Sequence, residues 1–190
     1  MRTLLIIVAL SIVVFAGCKV KKPAAGNEPS ESNAGQNNAG TDFSEQSTWI
    51  LGYFDPERLT FPPYSEWYDK GFVEYQPDED VIARLSALNT DDITITVVLG
   101  TWCPDSRREV PRFMKVLSLW KFPVSKMTFI GVDNEKKAPL GDYDKLDIVR
   151  VPTFIFYKNK VEAGRIVENP TASLEQDILN ILNGNEKNNQ

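Results

Sequence analysis

At 190 residues with 42% hydrophobic content, the chain is sized for one globular domain with appendages. Its formal net charge of −5, without basic clusters, argues against a nucleic-acid surface, which needs Lys and Arg set against phosphates. There is no histidine and there are two cysteines, Cys18 and Cys103, so Ser-His and Cys-His nucleophile pairs and a Cys/His zinc site are excluded; no metal and no cofactor is implied.

Met1-Arg2-Thr3 is a short positive start, and Leu4 to Phe15 is a twelve-residue run, apolar except for Ser11. Such a run is too short for a hydrocarbon core that needs about 20 residues, and it fits the apolar centre of a signal peptide. Phe15-Ala16-Gly17-Cys18 then resembles a bacterial lipoprotein lipobox. The resemblance implies removal of residues 1–17, lipid on Cys18, and anchoring on the periplasmic or cell-surface side of a bacterial membrane. It would leave Cys103 as the only free thiol. An uncleaved N-terminal anchor is the competing reading, and under either the rest of the chain is exported.

Residues 18–42 form the expected tether. Lys19 to Asp42 carries no aromatic residue and one β-branched aliphatic, Val20, too little apolar surface to offset the entropy of ordering. As a flexible coil its 24 residues span about 25–30 Å. Lys19, Lys21 and Lys22 stand where anionic headgroups would meet them, or remain solvated.

Composition changes at Phe43. Ten of the twenty aromatics lie between Phe43 and Tyr75, so residues 43–71 read as an aromatic-rich N-terminal extension covering one side of the fold. Asp55-Pro56-Glu57 suits a short helix start, and Tyr64 to Lys70, closed by Gly71, suits another. Phe72-Val73-Glu74-Tyr75 alternates like a strand. Pro77-Asp78-Glu79-Asp80 opens a helix with Val81, Ile82, Leu85 and Leu88 on one face.

Ile93 to Leu99 (ITITVVL) reads as a central strand, and it leads through Gly100-Thr101-Trp102 to Cys103. Pro104 suits the first turn of the helix that follows, with Val110, Phe113, Met114, Leu117 and Trp120 as its apolar face. Met127 to Val132 is a second strand, Leu146 to Val149 a helical turn, and Thr153 to Tyr157 a third strand. Asn159-Lys160 turns into Val161 to Val167. Thr171 or Ser173 caps a last helix carrying Leu174, Ile178, Ile181 and Leu182, ended by Gly184. The order is β-α-β-α-β-α-β-β-α, and residues 185–190 read as a disordered tail. Asp133-Asn134-Glu135 and Asp142-Tyr143-Asp144 lack calcium-loop spacing and read as loop acids.

Cys103 thus lies beyond the carboxyl end of a central strand, where open α/β sheets place reactive groups, and at a helix start that favours a thiolate through its unpaired N–H groups and dipole. Arg107 and Arg108 add positive potential there and Asp105 opposes them.

Trp102-Cys103-Pro104-Asp105-Ser106, with Pro111 eight residues after the cysteine, resembles the active-site helix of the thioredoxin family. Val151-Pro152-Thr153, then an apolar strand and Lys158-Asn159-Lys160, resembles its cis-proline loop and terminal hairpin. The resemblance covers residues 72–184. It implies a thioredoxin-like α/β fold, a mixed sheet flanked by helices, and a cis Val151–Pro152 bond. It makes Cys103 and Ser106 the catalytic positions and Trp102, Pro104, Val151 and Pro152 the substrate-binding ones.

Two departures shape the chemistry. The motif is CxxS, with Ser106 where the family's second cysteine stands, and Val97 occupies the position of a carboxylate often found six residues before the cysteine. Ser106 cannot resolve a mixed disulfide; its hydroxyl either hydrogen-bonds the thiolate or, in a Ser106-Arg107-Arg108-Glu109 capping box, starts the helix. Two functions follow. One is monothiol exchange through Cys103 with exported protein or small-molecule thiols and disulfides, resolved by an external thiol. The other is a redox-inactive binding module for an exported partner protein, in which Cys103 is an inert thiol.

Overall fold

The computed structural model describes residues 48–184. The segments expected to be a signal peptide, a lipidation site at Cys18 and a tether, with residues 43–47 of the extension and the expected tail, lie outside the described residues. Within them the fold is α/β: a five-stranded mixed sheet accompanied by four α-helices. The strands are β1 (Gly52–Tyr53), β2 (Ile93–Leu99), β3 (Met127–Gly131), β4 (Thr153–Lys158) and β5 (Val161–Val167), in the order β1-β3-β2-β4-β5. The helices are α1 (Ser65–Glu74), α2 (Glu79–Ser86), α3 (Pro104–Trp120) and α4 (Leu174–Leu182). Only β2 and β3 run parallel; β1 on β3, β4 on β2 and β5 on β4 are antiparallel.

The β-branched run of β2 occupies the middle of the sheet because both its faces are covered. Ile93, Ile95, Val97 and Leu99 point to a core that also receives the apolar faces of all four helices. One cross-sheet row of that core is Phe129, Val97, Phe154 and Ile166. Phe113 of α3 stacks on Phe154 with ring centroids 4.2 Å apart and meets Phe156 edge-on at 6.1 Å. Val98 points the other way, into a smaller cluster with Ile130, Val132, Tyr143, Val151 and Cys103. The thiol therefore belongs to the face opposite the helical layer.

Most local signals act as the sequence suggests. Asp78 caps α2 by accepting from the Asp80 and Val81 amides, and Ser173 caps α4 by accepting from that of Gln176. Asn159 and Lys160 turn the β4–β5 hairpin with φ of 54° and 65°.

The stretch from Tyr64 to Tyr75 corrects two expectations. Gly71 does not end a helix and Phe72–Tyr75 is not a strand, because α1 continues through both to Glu74. Phe72 stacks on Tyr68 one turn back (6.2 Å) and lies beneath the Lys115 ammonium (5.0 Å). Four alternating residues satisfy helical spacing as well as strand spacing, and packing on α3 decides between them. The 71/72 division consequently falls inside α1. Tyr64 and Tyr68 are buried in the main core, whereas Tyr53 and Phe61 of the same extension are exposed.

Two smaller differences concern strand and turn ends. Gly52–Tyr53 forms an edge strand too short to carry a sequence pattern; it pairs with Ile130 and Gly131. A helical turn occupies Tyr143–Leu146 and not Leu146–Val149, ending as Asp147 takes a left-handed φ of 49°. Among the described residues no helix is long and apolar enough to cross a membrane.

Candidate functional site around Cys103

β2 ends at Leu99, and Gly100 to Trp102 make the turn that delivers Cys103 to the N-cap of α3. The Cys103 amide donates back to the Gly100 carbonyl (2.9 Å), and its φ of −78° and ψ of 124° are the extended values an N-cap needs. Pro104 follows as the first helical residue and is exposed, its missing N–H being no loss there. The Cys103 side chain is 7% exposed, and its thiol donates to the Val151 carbonyl at 3.3 Å. The Val151–Pro152 peptide is cis. Its loop is held by Thr153 Oγ1 donating to the Arg150 carbonyl (2.7 Å) and by the Glu168 amide donating to the Pro152 carbonyl (2.7 Å). Val151 and Pro152 are themselves buried, so what the loop offers next to the thiol is backbone.

Ser106 is fully buried, and its hydroxyl oxygen accepts from the Gly100 amide at 3.3 Å. The capping box does not form, because Cys103 holds the N-cap and Ser106 lies one turn inside α3. Glu109, its expected partner, instead accepts from Arg108 Nε (2.6 Å) and Arg112 Nη1 (3.1 Å). Among the described residues the Ser106 oxygen is bonded to Gly100 and the thiol to Val151, so no bond joins the two side chains. Ser106 ties the end of β2 to the start of α3.

Each residue of the thiol-bearing turn is fastened. Trp102, half-buried, donates its indole N–H to the Val132 carbonyl (3.0 Å) and lies against Trp49 with ring centroids 6.2 Å apart. The same indole covers Gly100 so closely that a Cβ there would stand 2.6 Å from it. The buried Thr101 hydroxyl accepts from the Ile50 amide and donates to the Thr48 carbonyl, both at 3.3 Å. Arg107 Nε donates to the Thr101 carbonyl (2.7 Å).

The charges around α3 are largely matched. Arg108 pairs with Glu109 and with Asp105 (2.8 Å) and also donates to Asn169; its hydrogen bond to Glu109 raises its already high pKa further. Arg150 pairs with Glu168 at 2.8 Å on the far side of the Val151 loop. Val97, six residues before the thiol, is fully buried in the helical core and brings no carboxylate to the site.

Three buried polar groups carried no sequence signal. Glu175, inside the apolar face of α4, accepts from the Tyr75 hydroxyl (2.8 Å) and the Asp78 amide (3.0 Å). Thr101 was only a spacer between strand and cysteine. Tyr143, 5% exposed and in the thiol's cluster, holds a hydroxyl with no hydrogen-bond partner among the described residues. Burial, then the neighbouring charges of Asp133 and Asp144, pushes its pKa up to about 12. Asp133 itself accepts from the Glu135 and Lys137 amides, a turn-forming use of a carboxylate. Among the described residues no group of three or more acidic or thiol side chains is placed to hold a metal ion.

No protein-family model matches the chain, and no curated protein matches it. A crystal structure of a protein of unknown function from Pseudomonas aeruginosa is similar at 15% identity and a TM-score of 0.46, covering 64% of this chain and 82% of that one.

Proposed function

We propose that the chain is a thioredoxin-like monothiol exchange protein, tethered to a bacterial membrane through lipid on Cys18, with Cys103 as its nucleophile. The observation that carries this reading is the bond from the Cys103 thiol to the Val151 carbonyl. It sets the thiol against a stretch of backbone next to Pro152, where an extended disulfide-bearing segment can pair. The sheet order, with β2 and β3 parallel and β4 and β5 antiparallel, supports the same reading.

The chemistry is exchange without net electron transfer to the protein. The Cys103 thiolate attacks one sulfur of R–S–S–R′, a Cys103–S–S–R bond forms, the original disulfide breaks, and R′S⁻ leaves to take a proton from solvent. An external thiolate R″S⁻ then attacks the R sulfur of the mixed disulfide. R leaves as R–S–S–R″ and Cys103 returns as thiolate. Substrates of this class are exported proteins or small-molecule thiols and disulfides.

The burial of Cys103 favours the second reading, a redox-silent binding module whose partner docks at the Val151-Pro152 loop. Incubating the full chain with oxidised glutathione, then mapping adducts by peptide mass spectrometry, separates the two. Exchange gives a Cys103 adduct that reduced glutathione removes and that Cys103→Ser lacks. A folded protein that never acquires the adduct rejects exchange through Cys103 and turns the search to a docking partner.

A further inference from the structure

The turn that carries Cys103 is bound on three sides by parts of the sheet-and-helix frame: Gly100 by Ser106, Trp102 by Val132, and the thiol by Val151. Thr101 differs. Its hydroxyl is held by Thr48 and Ile50, a strap that precedes β1 and joins the domain directly to residues 1–47. Both capacities of that hydroxyl are used, one in accepting from Ile50 and one in donating to Thr48. The Thr48 carbonyl also accepts from the Tyr64 hydroxyl at 2.7 Å, so the strap is tied to the core next to α1 as well. Trp49, between the two bonded residues, presses its ring on Trp102.

We infer that the Thr48–Ile50 strap is a latch on the thiol loop and that Thr101 is the positioning residue through which it acts. With the latch made, Gly100 to Trp102 hold Cys103 in its buried place against Val151. With it released, the Thr101 hydroxyl loses both its partners and Trp102 loses Trp49, so the turn is held only by its bonds to Ser106, Arg107, Val132 and Val151 and opens the thiol toward solvent more readily. Local opening of this kind is governed by the contacts that the segment must break, here including the burial of Ile50 in the main core, and not by the stability of the whole domain. The biological meaning rests on the reading of Cys103 as the reactive thiol, but the latch itself does not.

The test is the rate of Cys103 alkylation by iodoacetamide in the native full chain, read on the Cys103 peptide so that Cys18 does not interfere. Thr101→Val keeps the shape and removes both bonds, Trp49→Ala removes the ring contact, and Thr101→Ser retains the hydroxyl. Thr101→Val, which loses two buried hydrogen bonds, is expected to raise the rate about tenfold or more, and Trp49→Ala, which loses one ring contact, about fivefold, through the opening equilibrium. Thr101→Ser is expected to stay at the wild-type rate. A natively folded Thr101→Val protein alkylated at the wild-type rate overturns the inference; if that variant does not fold, Trp49→Ala decides by the same criterion. Adduct formation with oxidised glutathione is read separately. Faster alkylation without any glutathione adduct upholds the latch and rejects exchange, whereas adducts with unchanged alkylation in the variants reject the latch and keep exchange.

Discussion

Gly71 and Pro111 touch where α1 crosses α3: a Cβ added to Gly71 would stand 2.5 Å from Pro111 Cγ. The proline lies inside α3 and is buried, so its ring takes the place of a side chain knob against which only a glycine fits. Gly71→Ala would gain about 0.5–1 kcal/mol of helix propensity. Forcing a methyl into a contact that short, against a ring with no rotamer to yield, costs about 1–3 kcal/mol. Overpacking wins, and Gly71→Ala is expected to lower the urea midpoint without changing the slope of the transition. A higher midpoint would mean that α1 rides away from α3 at little cost.

Ser106 is expected to matter first for stability. In Ser106→Ala the buried Gly100 amide loses its acceptor, a loss of about 1–3 kcal/mol by denaturant unfolding. Glutathione adducts at Cys103 should still form, because the hydroxyl is hydrogen-bonded to Gly100 and the thiol to Val151. Ser106→Cys puts a thiol one turn into α3 from the N-cap position, within the reach that N-cap side chains have toward N3. It is expected to convert a persistent glutathione adduct into release of glutathione and an internal disulfide with Cys103. An adduct that persists unchanged would mean that the buried position is closed to attack.

These two sites also mark how far the sequence could be read. The strand Ile93–Leu99 and the helix from Pro104 were legible because β-branched residues dominate the strand and a proline fixes the helix start. Trp102, Cys103, Pro104, Ser106, Val151 and Pro152 do gather at one place, because both loops lie at the same end of adjacent strands β2 and β4. Phe72–Tyr75 misled because its alternation is shorter than either period needs to declare itself. β1 was invisible since two residues have no pattern, and the close approach that requires Gly131, whose Cβ would lie 2.1 Å from the Ile50 carbonyl, is a tertiary fact. Thr101 and Tyr143 owe their interest to partners, or the lack of them, from distant sequence.

The Tyr143 hydroxyl, without a hydrogen-bond partner among the described residues, makes a prediction of unusual sign for a buried residue. A buried polar group without a hydrogen bond costs the fold roughly 1–3 kcal/mol. Tyr143→Phe keeps the ring in the thiol's cluster and removes only that oxygen. It is expected to raise stability by about 1 kcal/mol in denaturant unfolding, with the alkylation rate of Cys103 unchanged. A loss of stability would mean that water reaches the hydroxyl and bonds it.

Alkaline pH should expose the same burial. Tyr68 is raised to about 12 by burial first and Asp69 second, and Tyr143 to about 12, against the ordinary value of 10.0. Tyr75 is raised as well, by burial and by its bond to Glu175. The folded state therefore keeps these phenols protonated over a range in which the unfolded chain has begun to release them. Unfolding releases protons there, so stability falls as pH rises: the contribution is whole below pH 10 and is lost progressively toward about pH 12. Urea midpoints across this window should decline, and the decline should be shallower in Tyr143→Phe, which removes one of the titrating groups. Ultraviolet titration of the native protein should show part of the tyrosinate signal delayed beyond the ordinary range. If every tyrosine of the native protein ionised near its ordinary value, Tyr68 and Tyr143 would have to be open to water.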